Sequence, residues 1–403
     1  MKISIIIPTH NRSEQLEMVL KSIFKLNDKV SFEIIVVDNN STDNTKAVCN
    51  SFKNIKYVFE KNTAFSKARN TGAINSTGQI LLYLDDDVLV NDGSLTSILK
   101  VFKENNKCGA IAGKILPKFL SKPPNWTLDC QKSFNGWSLY NNETYHFLKK
   151  DFQEVNSGAG PMIAIKKIAY DKVGGFPPDT VGIETNNKKN TFNKHYTGPG
   201  EYGLCHKLKK AGYKIYFKSD ISVFHVISPV RFNISFWRSR MIGEGYQQAI
   251  TDKKFYKLNK FHIYLKKSLY FYKYKSLLNI LSNKLNNSDF QKYEGMHPEE
   301  LWLHYYKAYL NIVSLFEKYK NLPDILWDMG LNGVSDQNFD RVVGEFPVEY
   351  NFLSSRDFFY DDIQINNLNL NRLSNKNIFF IFSRKNQLIG FFINLFLKYK
   401  KFF

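Results

Sequence analysis

Three consecutive aspartates, Asp85, Asp86 and Asp87, are the residues of this sequence best suited to chemistry. They follow the apolar run Leu81-Leu82-Tyr83-Leu84, which predicts a buried strand that ends at the first carboxylate. Adjacent carboxylates repel one another, so a fold that keeps three of them together needs a cation to offset their charge. Mg and Mn ions prefer such oxygens and in turn hold a diphosphate. The triplet is therefore a candidate metal and diphosphate site, and the alternative is a solvated acidic turn that caps the next helix.

Polar side chains also follow the other predicted strands. These are Thr9, Asn11 and Arg12 after the first strand, Asp38 after the second, and Arg69 in the helix after the third. The Asp38 carboxylate could accept hydrogen bonds from a base N–H or a ribose hydroxyl, and the planar Arg69 guanidinium could pair with a phosphate or a base carbonyl. Taken singly, a helix cap for Asp38 and a solvated helix residue for Arg69 are the simpler interpretations. The sequence contains neither of the two common glycine-rich phosphate-binding motifs, G-x-x-x-x-G-K-[ST] and, after the first strand, G-x-G-x-x-G.

The elements that must position these residues alternate between strands and helices over the first 115 residues. Apolar, β-branched runs predict strands at 3–7, 32–37, 55–59 and 80–84. Amphipathic stretches predict helices at 15–26, 42–52 and 64–74. This alternation is typical of an α/β fold with a parallel sheet covered on both faces. Because ligands bind outside the carboxyl ends of such strands, the polar residues lie at the expected edge.

The pattern is looser between residues 115 and 228. Long loops are predicted at Pro123-Pro124-Asn125-Trp126, at Asn135-Gly136-Trp137 and at 185–197. Further strands are predicted at Ile163–Ile165, Lys214–Phe217 and Ile221–Phe224.

From residue 231 onward the chain is predicted to be mainly helical, with lysines and aromatic residues interleaved. Helices are predicted at 253–275 and 299–319, and the tail at 388–403 combines phenylalanines with lysines. For 253–320 we favour amphipathic helices that pack on the rest of the chain with their lysines solvated. The alternative is that such segments lie on an anionic bilayer with the aromatic rings at headgroup level, and for the tail both interpretations stay open.

Composition excludes several classes of protein. Of the 403 residues, 43% are hydrophobic and 23% charged, which excludes a wholly disordered or fibrous chain. The net charge of +19 favours a polyanionic partner, although no nucleic-acid-binding motif accompanies it. Four scattered cysteines without C-x-x-C spacing argue against a zinc ribbon and a disulfide framework. Without a signal sequence or a run of about 18 uncharged residues, the sequence predicts a cytoplasmic protein whose membrane contact is limited to the surface.

Four motifs occur in order along the first half of the chain. They are Ile5-Ile6-Ile7-Pro8-Thr9-His10-Asn11-Arg12, Ile35-Val36-Val37-Asp38-Asn39-Asn40-Ser41-Thr42-Asp43, Ala68-Arg69-Asn70-Thr71-Gly72 and Leu84-Asp85-Asp86-Asp87. Together they resemble the family-2 glycosyltransferases of GT-A fold, closely over about 115 residues. The resemblance continues more thinly to about residue 245, through Gly158-Ala159-Gly160, Val173-Gly174-Gly175-Phe176, Ala211-Gly212-Tyr213 and His225.

The resemblance implies a GT-A (Rossmann-like) mixed sheet with helices on both faces, followed by a mainly α-helical C-terminal extension. The implied domains are a glycosyltransferase domain at 1–230 and a helical, basic and aromatic region at 231–403. Within the first domain, residues 1–115 would form the nucleotide-binding half and 116–230 the half for the acceptor and the donor sugar.

The resemblance also implies a role for each site residue. The nucleotide, most often a uridine diphosphate, would be held by Thr9, Asn11, Arg12, Asp38 and Arg69, with Asp85 or Asp86 at the ribose. A divalent Mn or Mg ion would be bound by Asp87, with Asp85 and His225 as further contacts. The basic segment of Arg231, Trp237, Arg238 and Arg240 stands where relatives place a helix near the diphosphate. Trp126 and Trp137 could stack on a sugar, although core packing is the simpler interpretation.

The catalytic base is less strongly indicated. Relatives usually carry two acidic residues before Leu-Cys-x-x-Leu-x-x-Ala-Gly-Tyr, and counting back from Leu204 places Glu201 at the second and Gly200 at the first. One positioned glutamate suffices to remove the proton of an acceptor hydroxyl. Glu201 is therefore the expected base, and Glu184 is the alternative.

The sequence as a whole predicts an inverting glycosyltransferase that moves a sugar from a nucleotide sugar to a glycan or a lipid-linked acceptor. Peripheral contact with the cytoplasmic face of an anionic membrane is compatible with this activity, and nucleic acid is not an expected partner. The alternatives are a nucleotide-sugar-binding protein without turnover, suggested by Gly200, and a nucleotidyltransferase.

Overall fold

The computed structural model describes residues 1–141, 143–186, 191–197, 199–284 and 295–318, with side chains described except at 180–198, 282–284, 315–316 and 318. The tail at 388–403, for which membrane contact and packing were both left open, lies outside the described residues. The chain divides into two compact units, Met1–Glu184 with Phe192–Glu349 and Thr185–Thr191 with Tyr350–Phe403. The domain boundary at residue 230 stays a prediction.

The elements predicted for the first half all form. Four strands lie parallel in the order β3-β2-β1-β4, namely β1 (Ile3–Thr9), β2 (Phe32–Asp38), β3 (Ile55–Phe59) and β4 (Ile80–Leu84). Three helices connect them, namely α1 (Ser13–Ile23), α2 (Thr45–Ser51) and α3 (Phe65–Ile74). Every residue of β1 and β4 is buried, as expected for central strands covered on both faces. The register pairs Thr9 with Asp38, so the carboxyl ends of β1 and β2 meet at one edge.

The second half completes a nine-stranded mixed sheet. It adds β5 (Val88–Val90), β6 (Cys108–Phe119), β7 (Phe152–Val155), β8 (Met162–Lys166) and, later in the chain, β11 (Lys214–Ile227). Strand β8 runs antiparallel to both β4 and β6, which makes the sheet mixed. The helices of this half are α4 (Ser94–Glu104), α5 (Asn125–Ser133), α6 (Lys167–Lys172) and α7 (Gly200–Lys210). The predicted α/β fold with a mixed sheet is confirmed.

Three predictions for this half were wrong. Residues 185–197, predicted as a loop, include parts of two paired strands, β9 (Thr180–Asn186) and β10 (Thr191–Thr197). The loop predicted around Pro124 gives way at Asn125 to α5. The two strands predicted on either side of Asp220 are one strand, β11, because β6 pairs with it before and after an irregularity between Phe217 and Ser222. For β11, pairing with the distant strand β6 decided the element, and local pattern could not show it.

Among the described residues, long helices follow a short 3₁₀ turn at Pro229–Phe232. They are α8 (Ile234–Lys254), α9 (Lys260–Lys284) and α10 (Pro298–Lys318), so the described part of the region from 231 onward is mainly helical, as predicted. Helix α8 lies so close to α10 that a Cβ at Gly245 would stand 2.4 Å from the carbonyl oxygen of Tyr305. The buried carboxylate of Asp252 on α8 contacts Lys266 at 2.6 Å and the Tyr309 hydroxyl at 2.9 Å, which ties all three helices together.

The helices also pack on the α/β part of the chain. Trp302 on α10 donates its indole N–H to Ser133 at 2.9 Å, and Trp237 on α8 packs against Trp137 with ring centroids 5.7 Å apart. Trp137 is 1% exposed, so it is a core residue and not a sugar platform. Within 253–320, α10 packs on the α/β part through Trp302 and α9 packs on α10 through Tyr270, as the interpretation favoured above expects for the residues that the structure describes. None of the described helices combines the length and apolar composition needed to span a bilayer.

Candidate active site

A cavity of about 440 Å³ opens at the carboxyl ends of β1 and β4, and its charged lining residues identify it as the candidate site. We call it the charged cavity. Its lining includes three carboxylates and three guanidinium groups, those of Asp85, Asp86, Asp87, Arg12, Arg231 and Arg240. Thr9 and His225, both predicted site residues, line it as well. The edge of the sheet at which the polar residues were predicted to meet is therefore where the cavity lies.

Asp85 stands at the end of β4 and faces the buried guanidinium of Arg69. Its Oδ1 accepts a hydrogen bond from Arg69 Nη2 at 3.1 Å. Burial, together with the nearby carboxylates of Asp87, Glu201 and Asp86, raises the pKa of Asp85 to about 7 against the attraction of Arg69. Near neutral pH this side chain therefore exists in both protonation states, so it can both accept and donate hydrogen bonds.

Asp86 is held on both carboxylate oxygens. One oxygen accepts from the Thr9 hydroxyl at 2.8 Å and the other from Arg12 Nη1 at 2.8 Å. Burial raises the pKa of Asp86, while Arg12 and the Thr9 hydroxyl favour the ionised form. Because Thr9 ends β1 and Asp86 follows β4, this contact fixes the triplet against the neighbouring strand.

Asp87 is the most strongly paired of the three. Its Oδ2 accepts from Arg231 Nη2 at 2.7 Å and from Arg12 Nη1 at 3.1 Å, and its Oδ1 lies 3.3 Å from His225 Nε2. Burial disfavours ionisation, but the contacts with His225, Arg231 and Arg12 outweigh it and lower the pKa of Asp87 below its ordinary value. Asp87 is thus a carboxylate at any physiological pH.

A contact with a backbone carbonyl group fixes the orientation of the His225 ring. Its Nδ1 lies 2.8 Å from the carbonyl oxygen of Trp137, which can only accept, so Nδ1 carries a proton. Nε2 of the ring lies at the corner that Asp87 and Arg231 share, 3.3 Å from Asp87 Oδ1 and 3.0 Å from Arg231 Nη1. A backbone carbonyl that fixes the tautomer in this way is the usual support of a metal-binding imidazole.

The donor set at this corner fits a divalent metal that is shared with a substrate. The described residues contain no group of three or more His, Cys, Asp or Glu side chains arranged for a metal. Asp87 Oδ1 and His225 Nε2, 3.3 Å apart, nevertheless supply one hard oxygen and one imidazole nitrogen. Mg and Mn sites often use one or two protein ligands and complete the shell with water and phosphate oxygens. The residues present therefore suit a metal that binds together with a diphosphate.

Arg69 lies behind the charged cavity and does not line it. Its side chain is completely buried, with the guanidinium 3.9 Å from the ring centroid of Phe65. Nη1 contacts Glu201, and Nη2 contacts Asp85 and the carbonyl oxygen of Gly160. Direct contact with a nucleotide would require these partners to be given up. The structure instead places Arg69 as the link between Asp85 and Glu201, and its predicted nucleotide contact stays a prediction.

Two further residues that were predicted to bind the nucleotide, Asp38 and Asn11, form hydrogen bonds outside the charged cavity. Asp38 is buried and accepts from the Tyr57 hydroxyl at 2.7 Å and from the Ser41 N–H at 2.8 Å, so it holds the loop before α2 and does not cap that helix, whose N-cap is Asn44. Asn11 bonds Ser41 and Thr42 and so joins the loops that follow β1 and β2. Neither lines the charged cavity, whereas their neighbours His10 and Asn39 do. No local signal distinguished these neighbours from the motif residues.

Glu201, the expected base, lies in the first turn of α7 and is largely buried. Its carboxylate pairs with Arg69, and a Cβ placed on Gly160 would stand 3.5 Å from it. The side chain of Glu184, the alternative base, lies outside the described residues. Glu201 is thus connected to Asp85 through a single guanidinium.

Comparisons with known proteins agree with this geometry. Residues 4–174 match the family described as Glycosyl transferase family 2. A GalNAc(5)-diNAcBac-PP-undecaprenol beta-1,3-glucosyltransferase of Campylobacter jejuni is 26% identical over 298 residues, which cover 71% of this chain and 90% of that protein. A glucosyl-dolichyl phosphate glucuronosyltransferase of Haloferax volcanii is 21% identical over 270 residues, 62% of this chain and 78% of that protein.

Other matches cover a smaller share of the related protein or superpose with a low TM-score. An uncharacterized glycosyltransferase of Rickettsia conorii is 38% identical over 108 residues, and the match spans only 18% of its length. Among solved structures, a mannosyltransferase of Pyrobaculum calidifontis in complex with GDP-Man and Mn²⁺ overlays with a TM-score of 0.42 and 15% identity, over 87% of this chain and 81% of that one. The match to Glycosyl transferase family 2 covers less than half of the chain, and it includes β1, β4 and the aspartate triplet of the charged cavity but not His225, Arg231 or Arg240.

Proposed function

We propose that this glycosyltransferase moves a sugar from a nucleoside diphosphate sugar, with UDP as the expected nucleotide, to a glycan or a lipid-linked acceptor, with inversion at the anomeric carbon. The observation that carries the proposal is the aspartate triplet at the end of β4, which faces a cavity that also holds the guanidinium groups of Arg12, Arg231 and Arg240. Asp87 is held ionised there, beside the oriented imidazole of His225.

The charge balance of the cavity supports a diphosphate that arrives with a cation. Three guanidinium groups already offset the three carboxylates of the lining. A diphosphate added alone would leave excess negative charge in a partly buried site, and a divalent cation would compensate it. Asp87 and His225 would hold this ion, with Asp85 as a further contact. When bound, the ion would stabilise the negative charge that develops on the leaving diphosphate.

The transfer itself would be a single displacement. The acceptor hydroxyl oxygen forms the new bond to the anomeric carbon while the bond from that carbon to the phosphate oxygen breaks, and the nucleoside diphosphate leaves with the bonding electrons. Glu201 takes the hydroxyl proton. Arg69 would position Glu201 by its ion pair, and it connects the base to Asp85 on the donor side.

The proposed acceptor class follows the relatives that this chain covers most fully. The Campylobacter jejuni and Haloferax volcanii proteins are named for an undecaprenyl diphosphate and a dolichyl phosphate substrate. We extend the lipid-linked class, and a role in glycoconjugate assembly, to this chain as a proposal.

Surface features of α9 support contact with a membrane that carries such an acceptor. Phe261, Tyr264, Phe271 and Tyr272 are between 51% and 70% exposed, and their spacing places them within one arc of about 100°. Lys275 lies 5.8 Å from the ring centroid of Phe271. Aromatic rings beside lysines are typical of helices at an anionic interface. Co-sedimentation with phosphatidylglycerol vesicles should fall when these four aromatics become alanine, and equal binding would exclude α9 as the contact.

The decisive test of the proposed function measures nucleoside diphosphate release from a panel of sugar nucleotides with Mn²⁺ and lipid-linked or glycan acceptors. Glu201→Gln should lower kcat by about 10²–10⁴-fold while nucleotide affinity changes little. Glu104→Gln, at an exposed residue of α4, is the matched control and should behave as the wild type. Donor binding without turnover by any of these proteins would favour the binding-protein alternative suggested by Gly200, and release of pyrophosphate would indicate a nucleotidyltransferase.

A further inference from the structure

A second cavity, of about 670 Å³, lies in the same compact unit and differs chemically from the first. We call it the aromatic cavity. Four of its lining residues are aromatic, namely Tyr140, Tyr145, Phe147 and Tyr202. The polar part of the lining consists of Gln153, Glu154, Asn156 and Ser157, and none of the residues that line it is a lysine or an arginine.

Two chain segments pass from one cavity to the other. In the first, Ser138 lines the charged cavity and Tyr140, two residues later, lines the aromatic cavity. In the second, Ser157 lines the aromatic cavity and Pro161 lines the charged cavity. Between Ser157 and Pro161 runs Gly158-Ala159-Gly160, one of the motifs that carry the family resemblance.

The candidate base stands at the same boundary. Glu201 is linked through Arg69 to Asp85 on the charged side. The next residue in the chain, Tyr202, lines the aromatic cavity and is 60% exposed. Gly160 belongs to the boundary segment, and a Cβ there would stand 3.5 Å from the Glu201 carboxylate. Glu201 itself lines neither cavity, but it is joined to the triplet through Arg69 and precedes a wall residue of the aromatic cavity.

The lining is suited to a neutral sugar. Aromatic rings present flat apolar faces that cover the C–H face of a pyranose, and amide, carboxylate and hydroxyl groups bond its hydroxyls. Tyr140 is 3% exposed and fixes the wall, because its hydroxyl donates to the carbonyl oxygen of Ser157 at 2.8 Å and its ring packs on Tyr145 at 5.1 Å. Tyr202 and Phe147, 60% and 53% exposed, remain available for a ligand.

We propose that the aromatic cavity binds an uncharged pyranose unit of the acceptor glycan and presents its hydroxyl toward Glu201. Without a basic side chain in its lining, the cavity does not suit the nucleotide or the phosphate of a lipid carrier, for which the charged cavity supplies guanidinium groups. The proposal deepens the proposed function and rests on it for the part that concerns Glu201. Binding of the sugar itself can be measured without turnover.

The experiment uses the full chain and direct binding. Saturation-transfer NMR with the methyl glycosides of glucose, galactose, N-acetylglucosamine and N-acetylgalactosamine at millimolar concentration, with and without UDP and Mn²⁺, detects any bound sugar. The variants Tyr202→Ala and Phe147→Ala remove exposed rings, so the fold should survive. Phe24→Ala, at a 45% exposed phenylalanine directly after α1, is the matched control.

We expect at least one glycoside to bind the wild type and the Phe24→Ala protein, with tenfold or greater weakening in each cavity variant. UDP affinity should be the same in all four proteins. Sugar binding that is unchanged in both cavity variants, or absent from the wild type under both conditions, overturns the proposal. If sugar binding depends on the cavity but no donor is turned over, the proposed function fails and the cavity assignment stands.

Discussion

The charged cavity and the aromatic cavity share two chain segments, yet they hold their side chains by different means. In the charged cavity each carboxylate is fixed by a guanidinium from elsewhere in the chain, such as Arg231, 144 residues from Asp87. In the aromatic cavity the walls are rings that pack on neighbouring rings, as Tyr145 does with Tyr140 at 5.1 Å and Phe147 at 5.4 Å.

This difference separates two tasks of a transferase. A set of opposed charges costs desolvation energy and recovers it only when every partner is in place, so the charged cavity tolerates little variation. Stacked rings tolerate substitution with graded losses, which suits the recognition of acceptors that differ between enzymes. The predictions below test whether the two cavities differ in this way.

The largest effect is expected from Asp87→Asn. The amide keeps the size of the side chain but removes the charge that faces Arg231, Arg12 and His225, and we expect transfer to fall by about 10²–10³-fold. Nucleoside diphosphate release at saturating donor is the measurement. Asp129→Asn on α5, where the carboxylate is 47% exposed and pairs only with Lys132 in the next turn, should retain wild-type activity. Equal losses in both variants would mean that charge at this corner has no special role.

Gly160→Ala tests the boundary between the cavities. The residue has no positive φ, and its new methyl group would meet the Glu201 carboxylate at an ordinary contact distance of 3.5 Å, so the fold should be kept. The methyl would occupy space beside the base, and we expect kcat to fall by about tenfold to a hundredfold with unchanged UDP affinity. An unchanged kcat would show that no reacting group passes between Gly160 and Glu201.

The comparison also explains what the sequence could and could not predict. The triplet at 85–87 was predictable because three carboxylates directly after a buried apolar run form a local signal. Its partner Arg231 was implied only by the family resemblance, and the Arg69–Glu201 pair joins residues 132 positions apart. Spacing along the chain does not report such contacts, so Arg69 was assigned to the nucleotide and its link to Glu201 was missed.

The aromatic cavity had no sequence signal of its own. Its rings come from an irregular stretch near Tyr145 and from the first turn of α7, and neither carries a periodic pattern. The same reason explains the accuracy of the fold prediction. In the first half, where the pattern is periodic, every predicted strand and helix formed, whereas the prediction for 185–197 was wrong. There β9 and β10 pair with each other in a polar segment that looked like a loop.

Salt should affect the two cavities unequally. Raising NaCl from roughly 0.05 M to 0.5 M shortens the Debye length severalfold, and the charged cavity is partly open to solvent, with the Arg12 side chain 44% exposed. UDP affinity should therefore fall several-fold in a titration calorimeter. Affinity for a neutral glycoside in the aromatic cavity should change by less than about twofold over the same range, because the sugar carries no charge for the salt to screen. A parallel fall for both ligands would contradict the assignment of the two cavities.

The smallest effect is expected for the pH dependence of the free energy of unfolding, to which Asp85 of the charged cavity contributes. The pKa of Asp85 is about 7 in the fold, against 3.8 when unperturbed, so between those values the folded chain holds a proton that the unfolded chain releases. Stability from this group therefore falls as pH rises through that window. Asp85→Asn removes this titrating group, so the variant does not lose stability in this way. The Tm of the variant minus the Tm of the wild type should therefore increase by about 2–4 °C between pH 5 and pH 8. Phe147→Leu in the aromatic cavity adds or removes no titrating group, so its Tm difference should stay constant with pH. A constant difference for Asp85→Asn as well would mean that Asp85 is ionised throughout this range.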